Sequence, residues 1–307
     1  MRKFRFRSIL VLVAALSLVA AACGGGDDDT SGSADGGGGG STTGACADAD
    51  TSAGDLLAQI CEEGVITVST DPAYPPASSL NPETGEYEGF DIDVATEIAN
   101  RLGVEVAWET PKWEAITAGN WQGRWDMSVG SMTVNKERAE VLDFTPAYYY
   151  TPAAIAVPED SDVTSLDQLS GATIALCSGC TYDFYMQGTL EIPGYSFDPP
   201  PMTDAAVKGF DTDSTAIQAV ESGQADAVMS SLPILQGAID KGRPLRIVGE
   251  PLFYEPLSVA IDKASELDQA SLVAAVSDIV DEMHSDGTLS ELSTQWFGED
   301  FTVSTEG

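Results

Sequence analysis

The chain has 307 residues, with 14 Lys and Arg against 49 Asp and Glu and a formal net charge of −35. That balance repels a nucleic-acid backbone and an anionic membrane face, and the single histidine, His284, excludes any site that needs two imidazoles. Hydrophobic residues still make up 43% of the chain, enough for a well-filled core at a length that suits about two domains.

Residues 1–22 have the order of an export leader. Arg2, Lys3, Arg5 and Arg7 precede an apolar run from Ile9 to Ala22 that is broken only by Ser17, too short to span a bilayer comfortably. Small residues stand directly before Cys23, which resembles a bacterial lipoprotein signal whose cysteine is lipidated and becomes the new N-terminus; Ala20 stands where that signal usually has Leu. Ordinary cleavage to a free secreted protein is the alternative. Residues 23–45 then read as a flexible Gly- and Asp-rich tether, reaching on the order of 25 Å. Four cysteines remain, and in an oxidising compartment they suggest two disulfides. Of the three pairings, proximity favours Cys46–Cys61 and Cys177–Cys180. The second pair also has the spacing of a redox centre or of half a zinc site. No further Cys or His pair exists to complete a zinc shell, so no metal and no cofactor are expected.

From residue 64 onward strands and helices alternate. Val65, Ile66 and Val68 begin a strand, and Pro72, Pro75 and Pro76 mark a turn. Ile92, Ala95, Ile98, Ala99 and Leu102 share one helical face that Gly103 ends. Strands are expected at 104–108, 127–129 and 153–157, with a helix opened by Asn135. A second set follows, with strands at 173–176, 227–229 and 245–248 and helices near 182–190 and 214–222. A strand at 257–261 and helices at 267–284 and 289–296 close the chain. The alternation implies an α/β fold of parallel-rich sheets covered by helices on both faces, with a ligand at the carboxyl ends of the strands.

Five segments carry a family resemblance: Ile-Thr-Val-Ser-Thr-Asp-Pro-Ala-Tyr-Pro-Pro (66–76), Gly-Phe-Asp-Ile-Asp-Val-Ala (89–95), Gly-Ser-Met-Thr-Val-Asn-Lys-Glu-Arg (130–138), Asp-Phe-Thr-Pro-Ala-Tyr-Tyr (143–149), and Asp-Gly-Thr-Leu followed by Trp-Phe-Gly (286–298). In this order and spacing they resemble the extracytoplasmic solute-binding proteins of ABC importers, in the polar amino-acid class. The resemblance implies a two-lobed periplasmic-binding-protein-like fold of type II with two hinge strands. One lobe would take residues 46–151 together with 254–305, and the other 152–253. A small carboxylate-bearing solute, an amino acid or derivative, would bind in the cleft, and a monomer would deliver it to a membrane permease.

The resemblance also assigns roles. Arg138 would hold the solute carboxylate with two parallel hydrogen bonds, a geometry Lys cannot reproduce; without the motif it would read as an exposed helix charge. Ser131 and Thr133 would add hydroxyls, and the Gly130 carbonyl would accept from an ammonium. From the other lobe, the Cys180 amide and Thr181 would face the same carboxylate from a helix start. Tyr74 and Trp113 would stack on the solute, with core packing as the alternative, and Asp71 would accept from a ligand amine or from a donor on its side chain, with turn capping before Pro72 as its ordinary role. One departure stands out. The acid that usually holds the α-ammonium aligns with Ser231, while Asp226 at the start of that strand reads as structural. No catalytic residue is assigned. The alternatives are a dehydratase-like lyase on the same fold, with Asp71 as its acid, and a soluble partner of a sensory receptor.

Overall fold

The computed structural model describes residues 44–304, so the leader, most of the tether and Cys23 lie outside the described residues. The chain opens with α1 (Ala45–Asp48) and α2 (Leu56–Glu63), tied by the Cys46–Cys61 disulfide. β1 (Val65–Ser69) leads into three very short strands, β2 (Ala73–Tyr74), β3 (Ser78–Leu80) and β4 (Tyr87–Glu88), which form a separate antiparallel sheet. α3 (Phe90–Leu102), β5 (Glu105–Glu109), α4 (Trp113–Thr117), β6 (Met127–Thr133) and α5 (Lys136–Val141) complete the first half.

The long strand β7 (Leu142–Pro158) then crosses to a second half built from β8 (Thr173–Cys177), α6 (Thr181–Met186), β9 (Ala206–Phe210), α7 (Asp213–Glu221), β10 (Ala227–Ser231) and α8 (Leu232–Asp240). β11 (Leu245–Asp262) returns, and α9 (Ala270–Ser285) and α10 (Thr288–Phe297) pack back on the first half. The strands at 245–248 and 257–261 are thus two ends of one element, whose pairing with β7 shifts register between Val248 and Phe253.

The sheet order is β5-β1-β6-β11-β7-β10-β8-β9. β1 pairs in parallel with β5 and β6, and β8 with β9 and β10, so each half has a parallel trio with helices around it. β7 and β11 run antiparallel to each other and join the trios. This is a two-lobed α/β fold with two crossing strands.

Its local causes are ordinary. On α3 the predicted stripe is buried, and Gly103 caps it at φ +90°. At the other end, Gly89 sits at φ +136° with its Cα so close to Ala77 that a Cβ would meet the Ala77 carbonyl at 2.3 Å; only glycine fits. Helix α6 ends at Met186 rather than running to 190, because Gly188 follows in the left-handed region at φ +70°.

The halves also share a clamp that no sequence repeat announces. Asp126, before β6, accepts from the Thr67 amide (2.7 Å) and donates its own amide to the Thr67 carbonyl (2.8 Å). Asp226, before β10, does the same with Thr173 (2.7 and 2.9 Å). Each aspartate fixes the register of one strand against its neighbour.

Trp121 and Trp125 pack with tilted rings in a small core beside Ile116, Met132 and Leu142, and His284 bonds the Ala147 carbonyl at 2.8 Å. No helix among the described residues is long and apolar enough to cross a membrane.

Candidate functional site

The carboxyl ends of β1, β6 and β8 converge on the junction between the halves. There a cavity of about 50 Å³ is walled on the first half by Asp71, Tyr74, Trp113, Gly130 and Ser131. The second half contributes Cys177, Cys180, Tyr182, Asp211 and Asp213. A larger open groove of about 470 Å³ lies outside this junction, along 185–200; its Lys136 and Glu191 are already paired with each other at 2.7 Å.

Arg138 sits on α5, whose start is fixed by Asn135: the side-chain oxygen accepts the Arg138 amide at 2.8 Å. The arginine is only 3% exposed. Its Nη1 donates to the Thr133 carbonyl (3.0 Å) and its Nη2 to the Gly179 carbonyl of the other half (3.1 Å). The Trp113 ring lies 4.9 Å from the guanidinium carbon. Burial lowers its pKa to about 10, with Glu255 opposing the shift, so it is charged at neutral pH. Among the described residues it forms no ion pair at salt-bridge distance.

Behind it lies a buried carboxylate that sequence reasoning missed. Glu255 of β11 is 2% exposed and accepts from the Thr133 hydroxyl and from Tyr182 (2.7 Å). Thr181 in turn donates to the Thr133 hydroxyl at 2.8 Å. Burial pushes the Glu255 pKa up, while Thr133, Tyr182, Thr181 and the positive Arg138 pull it back. Thr133 and Thr181 are therefore linked to each other and to Glu255 in this closed arrangement.

Ser131 stands at φ +54°, an uncommon conformation for a residue with a side chain. Its amide donates to Tyr148 Oη (3.0 Å) and its hydroxyl to Asp91 Oδ2 (2.7 Å), with Tyr149 alongside. Tyr148 closes the ring by donating to Asp91 Oδ1 at 2.7 Å. The hydroxyl assigned to the solute thus points to a buried aspartate in this structure, and burial pushes that aspartate to about 7.

Asp71 caps its own turn, accepting the Ala73 amide at 2.8 Å, and also lines the cavity; burial raises its pKa. Tyr74 shares a 3.1 Å hydrogen bond with Ser231, which is 1% exposed and does not line the cavity. Of the residues named from the sequence, Asp71, Tyr74, Trp113, Gly130, Ser131 and Cys180 line the cavity, whereas Thr133, Arg138, Thr181 and Ser231 make bonds across the junction.

The second half adds Asp213, the first residue of α7, 5% exposed. The Ser230 hydroxyl donates to its Oδ1. Burial raises its pKa to about 7, and Asp71 and Glu255 push in the same direction. In sequence it was hidden as an acid in a helix first turn behind the cap Thr212, a common arrangement that needs no ligand. Cys177 and Cys180 lie beside it, but their sulfurs are bonded to each other and offer no thiolates to a metal. The Gly179 amide donates to Asp183 Oδ2 at 3.0 Å, so that part of the turn is already satisfied by the chain itself.

Several bonds hold the halves together besides those of Arg138, Thr181 and Tyr74. Ser214 donates to the Ala73 carbonyl (2.7 Å), and Trp113 Nε1 to the Gly179 carbonyl (3.3 Å). The junction is closed.

A family model for bacterial extracellular solute-binding proteins, family 3, matches residues 66–299. The probable amino-acid-binding protein YxeM of Bacillus subtilis (strain 168) is 29% identical over 262 residues, which covers 84% of this chain and 91% of that protein. The L-cystine-binding protein TcyJ of Escherichia coli (strain K12) is 28% identical over 250 residues, covering 80% and 88%. Among solved structures, the ancestral amino acid-binding protein AncCDT-1, a precursor of cyclohexadienyl dehydratase, superposes with a TM-score of 0.66 at 27% identity, covering 78% of this chain and 99% of that one.

Proposed function

Because this chain belongs to the bacterial extracellular solute-binding proteins of family 3, we propose that it binds an amino acid or closely related carboxylate-bearing solute between its halves and delivers it to the permease of an ABC importer. The observation that carries this reading is Arg138: a buried, charged guanidinium at the junction, held by two carbonyls and an aromatic ring with no ion-pair partner. Glu255 acts on it only from beyond salt-bridge distance, and burying a charge without a directly paired counter-charge is costly, a cost that a solute carboxylate on the guanidinium would reduce. Opening the junction about β7 and β11 would break the Arg138–Gly179 bond and free Nη2 for the incoming acid. Reclosure would trap the solute against Trp113, Tyr74 and the second half. The moving bodies would be 46–151 with 254–305 and 152–253.

The same opening would release Thr181 from Thr133 and Tyr74 from Ser231, so these groups become available to the solute; the Cys180 amide would have to exchange its long 3.4 Å bond to the Cys177 carbonyl of its own half for one to the solute. The Gly130 carbonyl would take its amine, and Asp71 that amine or a donor on the solute's side chain. A lipid on Cys23 and a tether over 23–45 would keep a monomer near its permease, outside the cytoplasm. The relatives are named as binding proteins, which supports a role without chemistry of its own. One observation favours a second reading: a buried acid with its pKa near 7, Asp213, has the titration of a general acid. Turnover of prephenate-like acids would reveal such a lyase; the binding reading predicts none.

The direct test is a thermal-shift screen against amino acids, their N-methylated derivatives and dicarboxylates, because a binder raises the melting temperature by mass action. Arg138→Ala should weaken a carboxylate solute by at least about 100-fold, as expected for losing two hydrogen bonds from a charged group. An unchanged shift in that variant would refute the assignment.

A further inference from the structure

The acid expected at position 231 is absent, and the serine there is buried and bonded to Tyr74, away from the cavity. The second half nonetheless presents a carboxylate to the cavity from a different element. Asp213, at the start of α7, is more than nine-tenths buried, lines the cavity, and has one oxygen held by Ser230; its other oxygen has no side-chain partner among the described residues. On the first half Asp71 lines the same space, with one oxygen held by the Ala73 amide.

We propose that Asp213 is a specificity-determining residue: with Asp71 it holds the cationic end of the solute's side chain, so the protein selects amino acids of net positive charge. This rests on the reading of the junction as the solute site. Four features support it. The cavity lining contains no Lys or Arg, so nothing in its wall neutralises the buried Asp213 and the half-buried Asp71. The one other acid there, Asp211, is exposed and lies 3.9 Å from Lys112, whereas Asp71 and Asp213 form no salt bridge among the described residues. Asp71 disfavours ionisation of Asp213, and a cation between them would stabilise both. Tyr74, Trp113 and Tyr182 complete the wall, a surface suited to an alkyl chain that ends in an ammonium or guanidinium. Arg138 would take the carboxylate of the same solute and the Gly130 carbonyl its α-amine.

Isothermal calorimetry on the wild-type protein with L-arginine and its neutral isostere L-citrulline, and with L-lysine and L-norleucine, tests this. The cationic member of each pair should bind at least about 10-fold more tightly, the scale of a single charge-assisted bond. Asp213→Asn should weaken the cationic member by roughly 10- to 100-fold and leave the neutral one within about threefold. Asp71→Asn, at a half-buried turn position, should show the same pattern and serves if Asp213→Asn folds poorly. Equal affinity for charged and neutral isosteres, or variants that lose both alike, overturns the proposal. If neutral or acidic amino acids bind best and still depend on Arg138, the inference falls while the solute-binding reading stands. If no amino acid binds and Arg138→Ala changes nothing, both fall.

Discussion

At the scale of single residues, the site is a balance of buried charges. Asp213 and Asp91 both have carboxyls raised to about 7, chiefly by burial. An acid whose folded pKa exceeds its unfolded value of about 4 favours the folded state while it stays protonated, and that contribution is lost as pH rises toward the folded value. The solute-free protein should therefore melt at a higher temperature near pH 5 than near pH 8, and Asp213→Asn should flatten part of that slope. The groups that face Asp213 are Asp71, Glu255, Tyr74 and Tyr182, and none of them adds a positive charge. A bound cation should lower the Asp213 pKa, so solute binding near pH 6.5 should release a proton, visible as a buffer-dependent heat. Little of this was legible in the sequence. Arg138 stood out through its motif, but Asp213 looks like any first-turn acid, and Glu255 sits in a strand where a carboxylate usually faces water. Burial, which alone distinguishes them, is a property of the fold.

Elements were easier to read than side chains. The stripe on α3, the strand β5 and the Asn135 cap each follow from local sequence, although the burial along β5 does not alternate as its spacing suggested. The sheet of β2, β3 and β4 was not, because strands of two or three residues are too short to show a period. β11 read as two pieces, since Gly249, Glu250 and Pro251 interrupt its apolar pattern where its register shifts. The Cys46–Cys61 bridge closes a 15-residue separation between α1 and α2, and neither cysteine lines the cavity. Such a loop constrains the unfolded chain by about 3 kcal/mol. Replacing both cysteines with serine should therefore lower the melting temperature by roughly 6–12 °C, at about 2–4 °C per kcal/mol for a domain of this size, and leave solute affinity within about twofold, well under the 1.4 kcal/mol that a tenfold change represents. Lost affinity in that variant would mean that the N-terminal clip shapes the cleft.

For the whole molecule, the two parallel trios joined by β7 and β11 make a hinge the natural mode of motion. The closed junction is held by a few neutral hydrogen bonds, the bond from the charged Arg138 to the Gly179 carbonyl, and two exposed ion pairs, Lys136–Glu191 and Lys112–Asp211, that contribute little. Without solute the halves should part readily, so solution scattering should show a smaller radius of gyration when solute is added, and an unchanged radius would argue against closure on binding. The two-lobe plan could be read from the family motifs, but the shared aspartate clamp at Asp126 and Asp226 could not, since the residues around the two positions differ. The most direct test of the central claim is a crystal structure with an amino acid bound. The account predicts its carboxylate on the Arg138 guanidinium, with Nη2 released from the Gly179 carbonyl. A solute lodged elsewhere, with Arg138 still on that carbonyl, would contradict it.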